Sequence, residues 1–169
     1  EEKDVRISYL DRGYYFGDGI YEVFRIYGGK LFAVRAHTER FFRSAAGIRL
    51  DVPYTAEQLA DMLDKLLFAE RIADGTLYVQ MTRGAAARSH LFPQGAEPVL
   101  LAYCKEIAKP YKEMRDGITA VTVPDIRWHR CDLKTLNLLP NTMAKQEAAD
   151  RGADEAIMHR DGIVTECSL

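Results

Sequence analysis

From Ile20 to Tyr27 the chain is dense in aromatic and β-branched residues, the composition of a strand. A period of two puts Tyr21, Val23, Arg25 and Tyr27 on one face and Glu22, Phe24 and Ile26 on the other. Gly28-Gly29 then leads into Lys30 to Val34, so a two-residue turn should close a β-hairpin. Thr38 to Ala46 reads as a short helix ended by Gly47. Thr55-Ala56-Glu57-Gln58 has capping-box spacing, in which a hydroxyl and an amide each satisfy a free backbone group. Leu59, Met62, Leu63, Leu66 and Leu67 follow as a helical stripe of core type, and Gly75 offers a stop for that helix. Leu77 to Thr82 and Pro98 to Tyr103 read as strands, separated by a polar loop from Arg83 to Glu97.

Near Lys109-Pro110 the sequence turns polar and charged, and stays so through Asp116-Gly117. This sets a domain boundary, with residues 1–110 as an N-terminal α/β domain and 111–169 as the beginning of a C-terminal domain. Ile118 to Val123 reads as a strand and Leu138 to Ala149 as a helix ending near Gly152. Glu155 to His159 and Ile163 to Cys167 read as strands joined around Asp161-Gly162, a hairpin turn pair. The expected class is α/β (α+β), without repeats or low-complexity segments.

Composition narrows the possibilities. The 169 residues suffice for one large domain, or one domain and part of another. With 23 basic and 25 acidic side chains the net charge is −2, which leaves no electrostatic footprint for nucleic acid. No apolar run reaches membrane-spanning length. The three cysteines (Cys104, Cys131, Cys167) are odd in number and lack CxxC spacing. They suit a reducing compartment such as the cytoplasm rather than a disulfide framework. His129-x-Cys131 has no second ligand pair, so no metal is expected. The sequence starts at Glu1 without methionine and stops at Ser168-Leu169 just past a strand. Both ends look cut, so the lack of a signal peptide says little.

Candidate chemistry centres on Lys134, in the run Arg127-Trp128-His129-Arg130-Cys131-Asp132-Leu133-Lys134-Thr135-Leu136-Asn137-Leu138-Leu139. A lysine among leucines should be partly desolvated, which favours a neutral amine able to attack a carbonyl. The competing reading is a lysine that snorkels to water. Glu166 shares a strand face with Val164 and Ser168. It is either an edge-strand glutamate facing water or a carboxylate holding a proton on a heterocyclic nitrogen. Arg88 and His90 stand two apart in the polar loop, where an extended backbone could aim both at one anion; the alternative is a solvated loop. Tyr21 could add a phenol donor or simply pack. Arg40 could decorate a helix surface or clamp a phosphate. Gly17-Asp18-Gly19 matches neither a P-loop nor a dinucleotide fingerprint.

Seven segments occur together and in order. They are Asp11 to Val23, His37-Thr38-Glu39-Arg40, Thr82-Arg83-Gly84, Arg88-x-His90, Arg127 to Leu139, Ala144 to Ala148, and Val164-Thr165-Glu166. In this the chain resembles the class IV (fold type IV) pyridoxal-phosphate aminotransferases over nearly its whole length. Arg88-x-His90 points to the D-amino acid aminotransferase branch. The resemblance implies a two-domain enzyme whose smaller N-terminal domain is nearly complete here. It implies that Lys134 forms a Schiff base with pyridoxal 5′-phosphate and shuttles the substrate proton, and that Glu166 pairs with the pyridine nitrogen. It further implies that Arg40 binds the phosphate, that Ser168 lies near the cofactor, and that Tyr21, Arg88 and His90 hold the substrate carboxylate. In the family the Arg and His reach across a homodimer. The implied reaction exchanges an amino group between D-alanine-like donors and 2-oxoglutarate-like acceptors.

Family members extend well past residue 169, so the isolated chain is expected to be inactive. Cys167 stands where a small, glycine-like residue is expected, which leaves the geometry after Glu166 open. A branched-chain L-amino acid aminotransferase, an aminodeoxychorismate lyase and a non-catalytic member remain as alternatives, the first disfavoured by Arg88-x-His90.

Overall fold

A computed structural model describes residues 2–169. The described chain forms two compact units. One runs to Lys109 and includes Asp132–Leu136; the other comprises Pro110–Cys131 and Asn137–Leu169.

The first unit contains α1 (Arg12–Phe16), β1 (Gly19–Tyr27), β2 (Lys30–Leu31), α2 (Val34–Gly47), α3 (Ala56–Glu70), β3 (Gly75–Thr82) and β4 (Val99–Glu106). The strands form one antiparallel sheet in the order β2-β1-β3-β4. Strand alternation sets its inner face: Ile20, Glu22, Phe24 and Ile26 of β1 are buried beside Leu77, Val79 and Met81 of β3. Phe41 and Ala45 of α2 and Leu59, Leu63 and Leu67 of α3 complete this core. The other face carries Tyr21, Tyr78 and Tyr103, stacked across three strands at 5.7 and 5.3 Å between ring centroids. Loss of water, with Tyr103 and Tyr21 alongside, pushes the Tyr78 phenol up to about 12.

Gly28 and Gly29 both take positive φ, 55° and 74°, as the hairpin turn between β1 and β2 requires. β2 then stops at Leu31 instead of reaching Val34, and α2 starts four residues before Thr38. Ala33 turns into the left-handed region at the start of α2. The Thr38 hydroxyl donates to the Val34 and Arg35 carbonyls, 3.0 Å each, which places it inside the helix rather than at its cap. The capping box of α3 forms as its spacing implied, with Thr55 and Gln58 bonding reciprocally. Gly75 does not end α3. Arg71 does so in the left-handed region at φ 56°, and Gly75 opens β3, where an added Cβ would sit 2.2 Å from the Lys105 carbonyl oxygen.

The second unit contains α4 (Tyr111–Asp116), β5 (Ala120–Pro124), α5 (Leu139–Asp150), β6 (Glu155–Arg160) and β7 (Ile163–Cys167). β5 lies parallel to β6, and β6 antiparallel to β7. Its small core joins Val123, Ala156 and Met158 of the sheet to Ala144 and Ala148 of α5. Asp161 and Gly162 both take positive φ in the hairpin turn. The charged stretch after Pro110, read from sequence only as a boundary, contains the exposed helix α4.

Candidate functional site

Lys134 is fixed through its backbone before its side chain does anything. Its carbonyl accepts from the Tyr21 amide at 3.1 Å, and the Leu136 amide donates to Gly19 at 3.1 Å. Thr135 bridges Ile20 as a one-residue extension of the β1 edge. The Lys134 amide donates to the Ser44 hydroxyl at 3.0 Å. Leu133 packs so closely on α2 that a Cβ on Gly47 would meet its side chain at 2.4 Å. So anchored, half-buried Lys134 extends Nζ to 3.2 Å from Tyr21 Oη and 4.3 Å from the ring centroid. Of the leucines in the run only Leu133 is buried, and it faces Gly47, while Leu139 is 71% exposed. The group beside the amine is a phenol.

Glu22 is fully buried on the inner face of β1, where a carboxylate needs charged or donor partners. It has them on α2. Arg40 donates from Nε at 2.5 Å and from Nη2 at 2.7 Å, and His37 Nδ1 lies 2.8 Å away. The three-residue spacing of His37 and Arg40 puts both on the helix face over Glu22. Arg40 is thus a guanidinium set in place by a buried acid.

Arg88 and His90 sit exposed on the loop between β3 and β4. Both lie against one ring: Phe16 is 5.4 Å from the His90 ring and 5.5 Å from the Arg88 guanidinium. Between them, the Ser89 carbonyl accepts from buried Arg12 at 2.7 Å.

In the second unit Glu166 lies on the edge strand β7, its side chain 54% exposed, and accepts from Arg127. A break in register between Met158 and His159 makes β7 take two steps where β6 takes one. Simple alternation therefore does not carry from Val164 to Glu166, contrary to the expectation of a shared face. Arg127 is itself gripped by Asp125, which accepts from Nε at 3.0 Å and Nη2 at 2.9 Å. Arg160 at 3.2 Å and the Thr165 hydroxyl at 2.7 Å complete the shell of Asp125. The Arg127 hydrogen bonds hold the Asp125 carboxyl well below the usual carboxylate range, and Asp125 in turn raises Arg127. Ser168 is buried and donates its hydroxyl to Glu155. Burial opposes ionisation of Glu155, but Ser168, the Ala156 amide and Lys145 outweigh it and lower its carboxyl.

Within the first unit the structure brings Lys134 to Tyr21 and sets Arg88 and His90 against the Phe16 ring. Sequence reasoning did not find Asp125 or the cluster of Arg12, Asp18 and Arg83. Arg12, Asp18 and Arg83 stood inside the family segments without a role, and their chemistry depends on contacts distant in sequence. Taken by itself, the first unit offers a positioned amine beside a phenol and an anchored guanidinium, groups chemically suited to an aldehyde and a phosphate; the second unit, by itself, offers an arginine-oriented carboxylate, a group suited to a protonated ring nitrogen.

The model of the amino-transferase class IV family matches residues 19–169. The chain is 52% identical to D-alanine aminotransferase of Staphylococcus epidermidis over 98% of its own length and 59% of that protein. It thus spans about three fifths of the length of this curated relative. A branched-chain aminotransferase of the archaeon Thermoproteus uzoniensis, solved with norvaline, superposes with a TM-score of 0.83 at 29% identity, over 99% of this chain and 59% of that one. A hypothetical aminotransferase of Mycobacterium tuberculosis in its PLP-bound form gives a TM-score of 0.83 at 23% identity, over 99% of this chain and 61% of that one, a likeness of fold. With its family segments in order and this fold beneath them, the chain belongs to the class IV aminotransferases.

Proposed function

We propose that the protein carrying this chain is a pyridoxal-phosphate-dependent D-amino acid aminotransferase, moving the amino group of D-alanine to 2-oxoglutarate to give pyruvate and D-glutamate. The observation that supports this most is the Lys134–Tyr21 pair in a chain 52% identical to a D-alanine aminotransferase. Pyridoxal phosphate, when bound, supplies an electron sink for the electrons left on the substrate carbon.

The chain's residues supply the rest. Lys134 would hold the cofactor aldehyde through its Nζ, and its amine would carry the proton off and onto the substrate. The Tyr21 hydroxyl, 3.2 Å away, keeps that amine in place and offers a donor to the substrate carboxylate. Glu166, oriented by Arg127, keeps the pyridine nitrogen protonated. Arg40, braced by Glu22, takes the phosphate, and Ser168 borders the cofactor. Arg88 and His90 bind the substrate carboxylate across a homodimer. This anchor decides which bond at the substrate carbon stands perpendicular to the ring, and hence which enantiomer reacts. Residues 1–110 act as the smaller domain and 111–169 as the start of the cofactor domain. Three free cysteines suit a reducing, cytoplasmic setting. Among the described residues no helix is long and apolar enough to cross a membrane.

The test is a product assay on the full-length protein. With D-alanine and 2-oxoglutarate, pyruvate and D-glutamate should form in equal amounts. Turnover confined to branched-chain L-amino acids would overturn the reading, as would pyruvate released from aminodeoxychorismate without an acceptor.

A further inference from the structure

The strongest unexplained feature of the first unit is a buried ion cluster at the root of the Arg88–His90 loop. Two arginines share one aspartate. Arg12 Nε donates to Asp18 at 2.7 Å, and Arg83 donates to both Asp18 oxygens from Nε and Nη2 at 2.9–3.1 Å. The three side chains are 3–8% exposed. Two guanidiniums on one carboxylate leave a surplus positive charge, which is costly in a buried site unless other acceptors spread it. Main-chain carbonyls do so. Arg83 donates to Ile48 at 2.8 Å and Arg49 at 2.7 Å, and Arg12 donates to Ser89 at 2.7 Å. Two ring faces also help: Phe92 lies 3.8 Å under Arg83 and Phe16 lies 4.6 Å under Arg12.

The connectivity is directional. Ser89 is the residue between Arg88 and His90, and its carbonyl ends on Arg12. The ring that Arg12 covers is the one both Arg88 and His90 lean on. The loop's first residues are tied to the same segment, with the Arg12 amide donating to Gly84 at 2.9 Å and the Ala86 amide to Leu10 at 3.1 Å. An exposed loop carrying two substrate-binding side chains would otherwise sample many conformations, and binding would bear that ordering cost.

We propose that Arg12, locked by Asp18 and Arg83, is a positioning residue that fixes the Arg88–His90 pair for the substrate carboxylate through Ser89 and Phe16. Arg12 touches no substrate in this scheme. It sets substrate affinity and enantiomer choice by holding the backbone between the two side chains that do. The proposal rests on the carboxylate-binding role given above to Arg88 and His90.

The experiment uses the full-length protein with its cofactor bound. Arg88→Ala tests the underlying reading alone: a raised KM for D-alanine supports it, and an unchanged KM overturns it together with this proposal. Arg12→Lys then tests positioning. Lysine keeps the charge for Asp18 but loses the fork that reaches Ser89. KM for D-alanine should rise about tenfold with kcat within about threefold, the pattern of lost binding rather than lost chemistry. The ratio of D- to L-alanine turnover should fall, and amides of residues 86–92 should exchange faster while those of β1 do not. If KM rises for Arg88→Ala but is unchanged in folded Arg12→Lys, the positioning claim is overturned and the carboxylate reading stands. Equal losses in kcat and stability at constant KM would overturn it too, as the mark of a purely structural cluster. Phe16→Leu covers the case in which Arg12→Lys does not fold. It should raise KM about threefold, and an unchanged KM would count against the proposal.

Discussion

Lys134 Nζ donates to Tyr21 Oη across 3.2 Å, although the two residues are 113 positions apart. The bond exists because residues 134 and 21 are also backbone partners along the edge of β1. A side chain whose main chain is fixed on the sheet keeps its amine in one place, as the proposed role of holding a cofactor and moving a proton would require.

Removing the amine should abolish turnover. Lys134→Ala is expected to lower kcat by about 10⁴-fold, the upper end of what loss of a general base costs. Tyr21→Phe removes one donor to a charged group and should cost about tenfold to hundredfold in kcat/KM. Borohydride treatment of the cofactor-loaded protein should fix one cofactor on the peptide containing Lys134. A label elsewhere would break the assignment.

Much of this arrangement was legible in the sequence, and what was hidden shares a cause. Period two along β1 grouped Glu22 with Phe24 and Ile26 on one face, and that face is the buried one. Thr55 and Gln58 announced their capping box because both partners lie within four residues. By contrast, the start of α2 depended on Ala33 entering the left-handed region, which no local preference announces. The five-residue α1 is held by Asp11, whose other oxygen accepts from Thr82 far along the chain. Lys134 was visible as a candidate, but its neighbour Tyr21 was set by strand pairing. Asp125 escaped notice because its importance lies in three partners, two of them 35 and 40 residues away.

Glu22 should be worth several kcal/mol to folding. Glu22→Ala leaves Arg40 and His37 over a buried hole without their acid. Breaking a fully buried pair costs about 3–5 kcal/mol, and the partial exposure of Arg40 lowers the expectation to about 2–3 kcal/mol. Urea unfolding of the variant checks this, and the same variant should bind pyridoxal phosphate more weakly as Arg40 loses its brace.

Acid should weaken the second unit through Asp125. Its carboxyl lies below the unfolded value of about 3.9, so the unfolded chain takes up the proton first. The stability it provides is therefore complete above that value and lost as pH falls through the lower folded one. Asp125→Asn should cost about 3 kcal/mol at pH 7, with two arginines left around an amide. The gap from wild type should narrow below about pH 4. A gap that widened in acid would show that Asp125 is not held ionised.

Gly84 should not tolerate a side chain. At φ 91° an added Cβ would stand 1.9 Å from the Glu97 carbonyl oxygen, where the two ends of the Arg88–His90 loop meet. Gly84→Ala is expected to lose about 2 kcal/mol or more. Thermal unfolding measures the loss, and a variant as stable as wild type would contradict this close approach.

The central claim, transamination of D-amino acids by Lys134 with the carboxylate held by Arg88 and His90, is tested most directly in a single turnover. The full-length protein loaded with pyridoxal phosphate is mixed with D-alanine or with L-alanine, and conversion to the pyridoxamine form is followed by absorbance. Rapid conversion with D-alanine and little with L-alanine is the predicted result. Preferential conversion with the L-enantiomer, or none with either, would contradict it.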